Sequence, residues 1–366
     1  MAAIKDVARY AGLSVSVVSK YLKNPDSVRP DTRERVEAAI KELHFQPNLA
    51  ARALRTKRTN MIVVVTPQLR SGVFNELLYS LQYLALQSGY HIAITSGEYL
   101  WTTLDSMVHN YSPLMLADGI IFYMDTDKSV ARTYSQIMQN KPQISISRYP
   151  FLPGVPNVTW DNDAAIYLTT KHLIDLGHKE IALMSVAPRD EFPNNRYYGY
   201  LRAMSDSGLR LRPSFHYCYD NPLSNVRGGY MGMEYFMNLP VRPTAIVTET
   251  DFFAIGCTKY ADEHGISIPE DVALTGLHDS APAAIATPPI TSVPFPADAI
   301  ASKALEMLFS MFHAPPEKRP ELPENTVLPV ELVVRRSSDP SQPKFLFPAA
   351  RHSFIPAAYD SFDDDK

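Results

Sequence analysis

From Met61 onward the sequence alternates between short runs of apolar, often β-branched residues and longer stretches with helical periodicity. A continuous run such as MIVVVT, at residues 61–66, is typical of a parallel strand that is buried on both faces. Strands that alternate with helices predict a parallel sheet with helices packed on both of its faces. The alternation therefore predicts an α/β fold for most of the chain.

The alternation occurs in two series, which are divided near residues 147–161. The first series contains the strand-like segments MIVVVT, YHIAITS, DGIIFY and PQISIS, and the second contains EIALMS, residues 215–219, TAIVTE and DVALTGL. Two series of this kind predict two doubly wound lobes. Because ligands of such folds bind beyond the carboxyl ends of the strands, the predicted ligand site is a cleft between the lobes.

The segment that precedes this body, residues 4–45, predicts three short helices. Gly12 breaks the first helix, and Ser14 is placed to cap the second. The third begins near Asp31, directly after Pro30. The first and third helices carry apolar residues at helical spacing, namely Ile4, Val7, Ala8 and Ala11, and Val36, Ala39, Ile40 and Leu43.

The second helix of this segment, VSVVSKYLK, contains three valines and two serines, which are middling or poor helix formers. At about 100° per residue, Val18, Tyr21 and Leu22 fall on the side that we expect to pack on the other helices. The opposite side carries Val15, Ser16, Ser19 and Lys20. Such a side suits the major groove of DNA, where serine and lysine bond to base edges or phosphates. An exposed face of a small helical bundle is the alternative.

Charge is distributed unevenly along the chain. The whole sequence holds 35 Lys and Arg against 39 Asp and Glu, yet residues 1–60 hold 12 Lys and Arg against 6 Asp and Glu. A basic segment joined to an acidic body favours a polyanion-binding module. A solvated charged surface would give the same counts, so charge alone does not decide between the two interpretations.

Taken together, the motifs resemble one known family. Residues 4–65, IKDVARYAGLSVSVVSKYLKNPDSVRPDTRERVEAAIKELHFQPNLAARALRTKRTNMIVVV, are similar to the DNA-binding headpiece and hinge of the LacI/GalR family of bacterial transcriptional regulators. The body segments VTWDNDAAIYLTTKHLIDLGHKEIALM and PTAIVTETDFFAIGCTKYADEHGISIPEDVALTGLHDS resemble motifs of the ligand domain of that family. The resemblance covers roughly residues 3–335.

The resemblance implies how the chain is divided into domains. We expect an all-α helix-turn-helix headpiece at residues 1–46 and a hinge helix or linker at residues 47–60. A two-lobed effector-binding and dimerisation domain, similar to a periplasmic binding protein, would occupy residues 61–336. The Pro-rich, acidic end at residues 337–366 predicts a disordered tail.

The resemblance also implies which residues contact DNA. It implies base reading by three residues and phosphate contacts by three others, namely Val15, Ser16 and Lys20, and Ser14, Ser19 and Asn24. Residues 48–56 of the hinge would become helical only on operator DNA. Leu54, flanked by Ala51 and Arg55, would wedge into the minor groove and kink the duplex, although an ordinary apolar linker residue is the alternative.

An effector site in the cleft is implied as well. Arg196 matches the arginine that bonds the effector, Phe74 matches a ring-stacking position and Asp161 matches an acidic position near the cleft. The alternatives are a surface arginine, core packing of the ring and a helix N-terminal acid, respectively.

Other cleft positions depart from the family pattern. His278 stands where an aspartate usually bonds sugar hydroxyls, Ser147 and Arg148 stand where an aspartate is common, and Thr250 and Asp251 stand in place of the usual Asn-Asp. Arg148, Arg196 and His278 would make the cleft less negative, which favours a sugar phosphate or a sugar acid. A neutral sugar with altered contacts, or no effector at all, stays open.

The sequence contains no nucleophile elbow, P-loop, zinc signature or kinase motif, so we predict no enzyme activity, no cofactor and no metal site. Cys218 and Cys257 are too few for a disulfide framework, and we expect two buried thiols in a reducing cytoplasm. No apolar stretch reaches about 18 residues, and the N-terminus lacks an apolar signal region. We therefore expect neither a membrane span nor a secretory signal.

These observations predict a cytoplasmic, ligand-responsive transcriptional regulator, with a repressor favoured over an activator. A homodimer would bind a palindromic, double-stranded operator, and a small carbohydrate-type effector would shift the populations of its states. The basic N-terminal segment disfavours a sugar-binding protein without a DNA function. The lack of a catalytic constellation disfavours an α/β enzyme.

Overall fold

The computed structural model describes residues 2–46, 58–66, 72–96, 117–123, 135–136, 138–186, 195–220, 225–312 and 314–343. The chain forms two compact units, Met1–Thr59 and Asn60–Lys366. The predicted α/β body therefore lies in the second unit, and the predicted helical segment lies in the first.

The first unit contains helices α1 (Ile4–Ala11), α2 (Val15–Lys23) and α3 (Pro30–Glu42). Gly12 ends α1 in the left-handed conformation, at φ 62°, and Ser14 Oγ caps α2 by accepting a hydrogen bond from the Val17 amide at 3.3 Å. Both termini are as predicted. From α3, Arg35 donates to the carbonyl oxygens of Ala11 at 2.5 Å and Gly12 at 3.2 Å, which fixes the turn between the first two helices.

Packing on its neighbours stabilises α2, whose own helix propensity is low. Val18 has no exposed surface, Tyr21 is 9% exposed and Leu22 is partly buried in the same apolar cluster. Tyr21 also donates a hydrogen bond from its hydroxyl to Glu37 of α3 at 3.1 Å. Tertiary burial of one face therefore compensates for weak local preference, as is usual for short helices.

The second unit is built from strands and helices that alternate along the chain. Its strands are β1 (Met61–Thr66), β2 (His91–Ser96), β3 (Gly119–Tyr123), β4 (Gln143–Ile146), β5 (Asn157–Trp160), β6 (Ile181–Val186), β7 (His216–Tyr219), β8 (Ala245–Thr248), β9 (Ala273–His278), β10 (Thr291–Pro294) and β11 (Asn325–Leu328). Its helices are α4 (Gly72–Gln87), α5 (Asn162–Asp175), α6 (Asn195–Asp206), α7 (Val226–Met237), α8 (Asp251–His264), α9 (Ala281–Ala284) and α10 (Ala297–Met311).

The strands form two all-parallel sheets. The order β11-β5-β4-β3-β1-β2 defines the first lobe, and the order β10-β9-β8-β6-β7 defines the second lobe. In β1, Val64 pairs with Ile94 on one side and Ile121 on the other, and it has no exposed surface. The continuous apolar run at residues 61–66 is therefore a central parallel strand that is buried on both faces, as predicted.

The chain crosses between the lobes three times. The predicted dividing region, residues 147–161, contains β5, which pairs in the first sheet, so the first crossing begins at Asp161. After β10 the chain returns through α10, which packs on α4 and β4 of the first lobe. After β11 it crosses again, and Val333 pairs with Ser292 of β10. Sequence periodicity predicted eight of the eleven strands in the described residues, but it predicted neither β5, β10, β11 and α10 nor these distant pairings.

The second lobe extends further along the chain than predicted. Ser337 has no exposed surface, and its hydroxyl donates to the carbonyl of Leu274 at 2.6 Å and accepts from the Thr291 amide at 2.8 Å. Residues 337–343 therefore belong to the folded body, and the prediction that the tail begins at residue 337 is wrong. Residues 344–366 of the predicted tail, and residues 47–57 of the predicted hinge, lie outside the described residues.

Cys257 is buried, but Cys218 is exposed, so the prediction of two buried thiols is wrong for Cys218. Cys218 lies on β7, which is an edge strand of its sheet and pairs only with β6 among the described residues. In the described part of the chain, no helix is long and apolar enough to span a bilayer. Within the same residues, no group of three or more His, Cys, Asp or Glu side chains is placed to hold a metal ion.

Candidate functional site

A cleft between the two lobes of the second unit lies at the carboxyl ends of the strands. Tyr123, Ile146 and Trp160 end three strands of the first lobe, and His278 ends β9 of the second. About 390 Å³ of space that protein atoms do not fill lies here, part of it open to solvent. This is the position at which parallel α/β folds bind ligands. The remaining described residues that line the cleft are Val73, Ser147, Arg148, Val158, Thr159, Arg196, Phe295 and Ile300.

Three contacts with described residues of the second lobe hold Arg196. Arg196 lies in the first turn of α6 and is 7% exposed. Its Nε donates to Asn162 Oδ1 at 3.0 Å, and its Nη1 donates to the backbone carbonyl of Glu249 at 3.1 Å. These partners lie at the start of α5 and after the end of β8. The guanidinium is therefore oriented by the packing of two helices and a strand, and it faces the cleft.

The third partner of Arg196 is His278, whose Nε2 lies 3.3 Å from Arg196 Nη2. Because a guanidinium can only donate, Nε2 must accept, and the ring is neutral with its proton on Nδ1. Burial holds the pKa of His278 well below its usual value of 6.5, and the positive charges of Arg196 and Arg148 lower it further. His278 is thus a neutral polar group between two cations.

A buried ion pair fixes the turn that follows His278. Arg335 Nη1 lies 2.5 Å from Asp279 Oδ1, and the two side chains are only 7% and 8% exposed. The Asp279 amide also donates to Ser292 Oγ at 3.0 Å. His278 and Asp279 both have left-handed backbone conformations, at φ 94° and 51°. These contacts compensate for a conformation that side chains with a Cβ rarely adopt.

The first lobe contributes an aromatic wall. The ring centroid of Trp160 lies 5.8 Å from that of His278 and 5.8 Å from that of Phe295, which it meets edge to face at 86°. The Arg196 guanidinium carbon lies 5.8 Å from the centroid of the Trp160 indole ring, across the cleft. Aromatic faces beside a few fixed polar groups are typical of sites for small ligands with an apolar ring face.

Hydrogen bonds with Asn157 hold the neighbouring segment Ser147–Arg148 in place. Ser147 Oγ lies 3.0 Å from Oδ1 of the buried Asn157, and Asn157 Nδ2 donates to the Ser147 carbonyl at 3.1 Å. Asn157 Nδ2 also donates to Asn325 Oδ1 of β11 at 2.8 Å. This amide network fixes the end of β4, and Arg148, which is partly exposed, follows directly.

Four side chains that the sequence assigned to the effector site have other positions. Phe74 has no exposed surface, and its ring lies 5.0 Å from that of Tyr123. Asp161 accepts a hydrogen bond from the Ala164 amide at 2.9 Å and thereby caps α5. Neither side chain lines the described cleft, because the first is needed in the core and the second at a helix terminus.

Thr250 and Asp251 also serve the fold. Thr250 Oγ1 caps α8 by accepting from the Phe253 amide at 3.4 Å. Asp251 is 2% exposed and accepts from the Ser280 amide at 2.5 Å and from Ser292 Oγ at 2.8 Å. Burial raises the pKa of Asp251 to about 7. Thr250 therefore caps α8, Asp251 joins α8 to the turn after β9, and both residues lie outside the described lining of the cleft.

The sequence prediction also missed side chains that do line the cleft. Trp160, Tyr123 and Phe295 were not selected, although the first two are the last residues of their strands. The rule that ligands bind at the carboxyl ends of parallel strands would have found these two. Phe295 follows β10 at a crossing between the lobes, and no local pattern marks that crossing.

In the first unit, the side of α2 opposite its apolar contacts is accessible. Val15 is 40% exposed, Ser16 and Lys20 are exposed, and Ser19 is partly exposed. Ser14 Oγ lies 2.7 Å from Ser16 Oγ. The last of the predicted phosphate contacts in this unit, Asn24, ends α2, and its Oδ1 accepts from the Asp26 amide at 3.0 Å. The predicted hinge contacts Ala51, Leu54 and Arg55 lie outside the described residues.

Comparison with known proteins matches both parts of the chain. Residues 3–48 match the family described as bacterial regulatory proteins, lacI family, and residues 170–338 match the periplasmic binding protein-like domain. The HTH-type transcriptional regulator RegA of Clostridium saccharobutylicum is 30% identical over 347 residues, which is 92% of this chain and 98% of RegA. The ribose operon repressor of Escherichia coli K12 is 29% identical over 319 residues, which is 86% of this chain and 94% of that repressor.

Solved structures share the fold. The lac repressor dimer bound to operator and the anti-inducer ONPF superposes with a TM-score of 0.74 at 22% identity, covering 92% of this chain and 99% of that one. The complex of the transcriptional regulator CelR with cellobiose superposes with a TM-score of 0.62 at 22% identity, covering 92% of this chain and 100% of that one. These structures show the fold, and the lacI family match together with the 30% identity to RegA over 92% of this chain shows that the chain is a DNA-binding regulator that belongs to the LacI family of bacterial regulatory proteins.

Proposed function

We propose that this regulator is a repressor that binds a palindromic operator as a homodimer and responds to a small carbohydrate-type effector. The effector binds in the cleft between the lobes of the second unit. The relatives support this direction, since one is a ribose operon repressor and another regulator of the same fold is seen with cellobiose. In this chain, the exposed side of α2 and the cleft between the lobes support the same function.

The exposed side of α2 reads the operator. Val15, Ser16 and Lys20 project from a helix whose other side is anchored by Val18 and Tyr21. In a major groove, lysine bonds to guanine, serine bonds to several base edges and a valine methyl contacts the thymine methyl. Ser14, Ser19 and Asn24 contact phosphates, and in the hinge Leu54, flanked by Ala51 and Arg55, wedges into the minor groove.

A single relationship carries the effector proposal: Arg196 of the second lobe faces Trp160 of the first across the cleft, at 5.8 Å. A small molecule that hydrogen-bonds to Arg196 and stacks on Trp160 contacts both lobes at once. Such a ligand binds the closed arrangement of the lobes more tightly than an open one. This difference in affinity is what a ligand must have to shift a conformational equilibrium.

The lobes are joined by the three chain crossings, so the change from the open to the closed arrangement bends the chain at these crossings. Lobe closure moves the first lobe relative to the second, and the first lobe begins at β1, directly after the segment that joins the headpiece to the body. Coupling free energies in allosteric proteins are typically about 1–3 kcal/mol, which corresponds to a change of about 5- to 150-fold in operator affinity. We expect a change of this size when the effector binds.

Fluorescence anisotropy with the full chain tests the proposal. The probes are duplexes that carry each palindrome found upstream of the gene and its neighbours, with scrambled duplexes as controls at the same salt concentration. We expect the palindrome to bind about 10³-fold or more tightly than the scrambled duplex. Equal binding of the two duplexes would overturn the operator proposal.

The same assay then tests the effector. A panel of sugars, sugar phosphates and sugar acids is added to the operator complex at constant ionic strength. We expect one class to change operator affinity by about 5-fold or more, and Trp160→Ala to abolish that response. Binding of the operator that responds to no member of the panel would overturn the effector proposal and leave the operator proposal standing.

A further inference from the structure

Two hydroxyl groups form a hydrogen-bonded pair at the start of α2. Ser14 Oγ lies 2.7 Å from Ser16 Oγ, and Ser14 Oγ also accepts a hydrogen bond from the Val17 amide at 3.3 Å. Both serines are exposed, so the pair lies on the side of α2 that is accessible to DNA. The distance by itself allows either serine to donate the proton of the pair.

The core of the first unit holds the backbone that carries this pair. Arg35 donates to the carbonyl oxygens of Ala11 and Gly12, which fixes the turn that leads into Ser14. Ser14 is the N-cap of α2, with φ −77° and ψ 152°, and Val18 in the next turn has no exposed surface. The two hydroxyl groups are therefore attached to a backbone whose position is set by tertiary packing.

A count of protons and lone pairs decides which serine donates on operator DNA. A hydroxyl group has one proton and two lone pairs. Because a phosphate oxygen only accepts, a Ser14 hydroxyl that contacts phosphate must give that oxygen its single proton. The Val17 amide uses one lone pair of Ser14 Oγ, and the other lone pair faces Ser16. The proton between the two serines must then come from Ser16.

We propose that Ser14, in contact with an operator phosphate, holds Ser16 as a hydrogen-bond acceptor, so that Ser16 reads the amino group of adenine or cytosine. The inference rests on the proposed operator contacts of α2 and specifies the base edge that Ser16 recognises. In the major groove, adenine N6 and cytosine N4 donate, whereas guanine N7 and O6 and thymine O4 accept.

Ser14 is thus a positioning residue for base reading. A serine hydroxyl without a fixed partner can turn its proton or a lone pair toward a base, so it bonds to donors and acceptors alike. In this chain the Ser16 proton is directed to Ser14, and only lone pairs of Ser16 Oγ face the groove. A guanine or thymine acceptor at the same place would leave two acceptors facing each other, which disfavours that base.

Operator duplexes with single modified bases test the inference in anisotropy titrations of the full chain. Unsubstituted purine in place of adenine removes N6, and 2-pyrimidinone in place of cytosine removes N4, at the same position of both half-sites. We expect one position at which the analogue weakens binding of the wild type about fivefold or more and binding of Ser16→Ala less than about twofold. Both proteins bind the same modified duplex, so any change in the duplex itself affects them equally.

Variants at position 14 test the positioning role. Ser14→Gly removes the hydroxyl but leaves a residue that is tolerated at an N-cap, and the penalty of the analogue should fall below about twofold. Ser14→Thr keeps the hydroxyl and should restore the full penalty. Asn24→Ala removes another predicted phosphate contact and should weaken binding to modified and unmodified duplexes equally. Circular dichroism reports folding, and if Ser14→Gly does not fold, the comparison of the wild type with Ser16→Ala decides the matter.

Each other outcome contradicts the inference. The acceptors N7, O6 and O4 are removed by 7-deazaguanine, 2-aminopurine and 5-methyl-2-pyrimidinone, respectively, and a penalty for any of these that depends on Ser16 would show that Ser16 donates. A full penalty in Ser14→Gly would show that Ser14 does not direct the Ser16 proton. Absence of any penalty that depends on Ser16 would overturn the inference while operator binding stands. Failure of every palindrome to bind would overturn the proposed operator function and the inference together.

Discussion

Arg196 donates a hydrogen bond to Nε2 of His278 across 3.3 Å, which joins the first turn of α6 to the last residue of β9. This contact requires the imidazole to be neutral, because a protonated ring has no acceptor and would add a third positive charge beside Arg148 and Arg196. The protonation state of His278 is therefore coupled to the folded arrangement of the cleft.

The coupling predicts how stability depends on pH. In the unfolded chain His278 binds a proton below its usual pKa of 6.5, whereas in the folded chain its pKa lies well below that value. Between the two values the unfolded state binds more protons, so the free energy of unfolding falls as the pH falls, by about 1.4 kcal/mol per pH unit for one group. Burial lowers the pKa of His172, His178 and His216 in the same direction.

Urea unfolding of the wild type and His278→Asn between about pH 5 and about pH 7.5 measures this effect. We expect the wild type to lose stability below about pH 6.5 and the variant to lose less, with a slope smaller by about one proton. Parallel slopes in the two proteins would show that His278 is protonated in the folded state.

Asp251 is predicted to have the opposite effect on the pH dependence of the free energy of unfolding. Burial raises its pKa from 3.8 to about 7, so the folded state binds more protons than the unfolded state between these values. The stabilising contribution of the protonated side chain is present below pH 3.8 and is lost as the pH rises through about 7. Asp251→Asn should remove this effect, and its stability should rise more steeply than that of the wild type between about pH 5 and about pH 7. A shallower rise would contradict the assignment.

The ion pair between Arg335 and Asp279 is predicted to contribute strongly to the stability of the second lobe. Asp279→Asn leaves the charge of Arg335 buried without its counter-ion, and breaking such pairs typically costs about 3–5 kcal/mol. Lys303→Ala removes an exposed pair with Glu306 and should cost less than about 1 kcal/mol. Thermal and urea unfolding compare the stabilities of the two variants. Equal losses of stability would show that burial does not increase the contribution of the Arg335–Asp279 pair.

Close packing of α5 on α6 gives a further prediction. A Cβ atom added at Gly199 would lie 2.2 Å from the Asp163 carbonyl oxygen and 3.0 Å from the Tyr167 nitrogen, both backbone atoms of α5. Gly199→Ala must therefore push α6 away from α5, at a cost of about 1–3 kcal/mol. The shift also separates Arg196 on α6 from Asn162 on α5, so ligand binding in the cleft should weaken.

Gly72→Ala is the matched control, because no atom of the described residues lies within 4 Å of the added Cβ and the residue begins a helix. We expect it to be neutral or slightly stabilising. If both alanine variants melted at the same temperature and bound cleft ligands equally, the close approach of α5 and α6 would affect neither stability nor ligand binding.

Operator reading by α2 predicts a base-specific effect for Lys20→Ala. Loss of a base contact should cost about 1–3 kcal/mol on the native operator and relax the preference at one base pair in each half-site. Lys41→Ala, at the end of α3, removes the same charge from outside α2 and serves as the control. Anisotropy titrations on the operator and on duplexes changed at single positions measure both effects. Uniform weakening on all sequences would show that Lys20 contacts only phosphate.

The sequence predicted the elements better than their arrangement. The run at residues 61–66, the turn at Gly12 and the cap at Ser14 follow from local chemistry, and all three are in the structure. The position of β5 in the first sheet and the return of α10 and β11 to the first lobe were missed. These pairings join segments that are far apart in the chain, and no periodicity within a segment records them.

The cleft shows the same division. Arg196, Arg148, Ser147 and His278 were found from the sequence, and the structure brings these four side chains to one cleft. Phe74, Asp161, Thr250 and Asp251 lie in the same motifs but are used for core packing and helix capping. The residue type alone does not show whether a side chain will bind a ligand or will instead cap a helix or pack in the core.

The sequence by itself determined that a three-helix segment precedes two parallel α/β series, which side of α2 is buried and which cationic residues stand near the ligand cleft. The first two properties follow from periodicity, capping and residue type, which act over a few residues, whereas the cationic residues follow from the resemblance to the LacI/GalR family. Only the tertiary structure decided that His278 is a neutral acceptor for Arg196, that Trp160 faces both from the other lobe, and that Ser337 belongs to the body. These facts depend on contacts between distant segments, because burial and hydrogen-bond partners exist only after the chain has crossed between its two lobes.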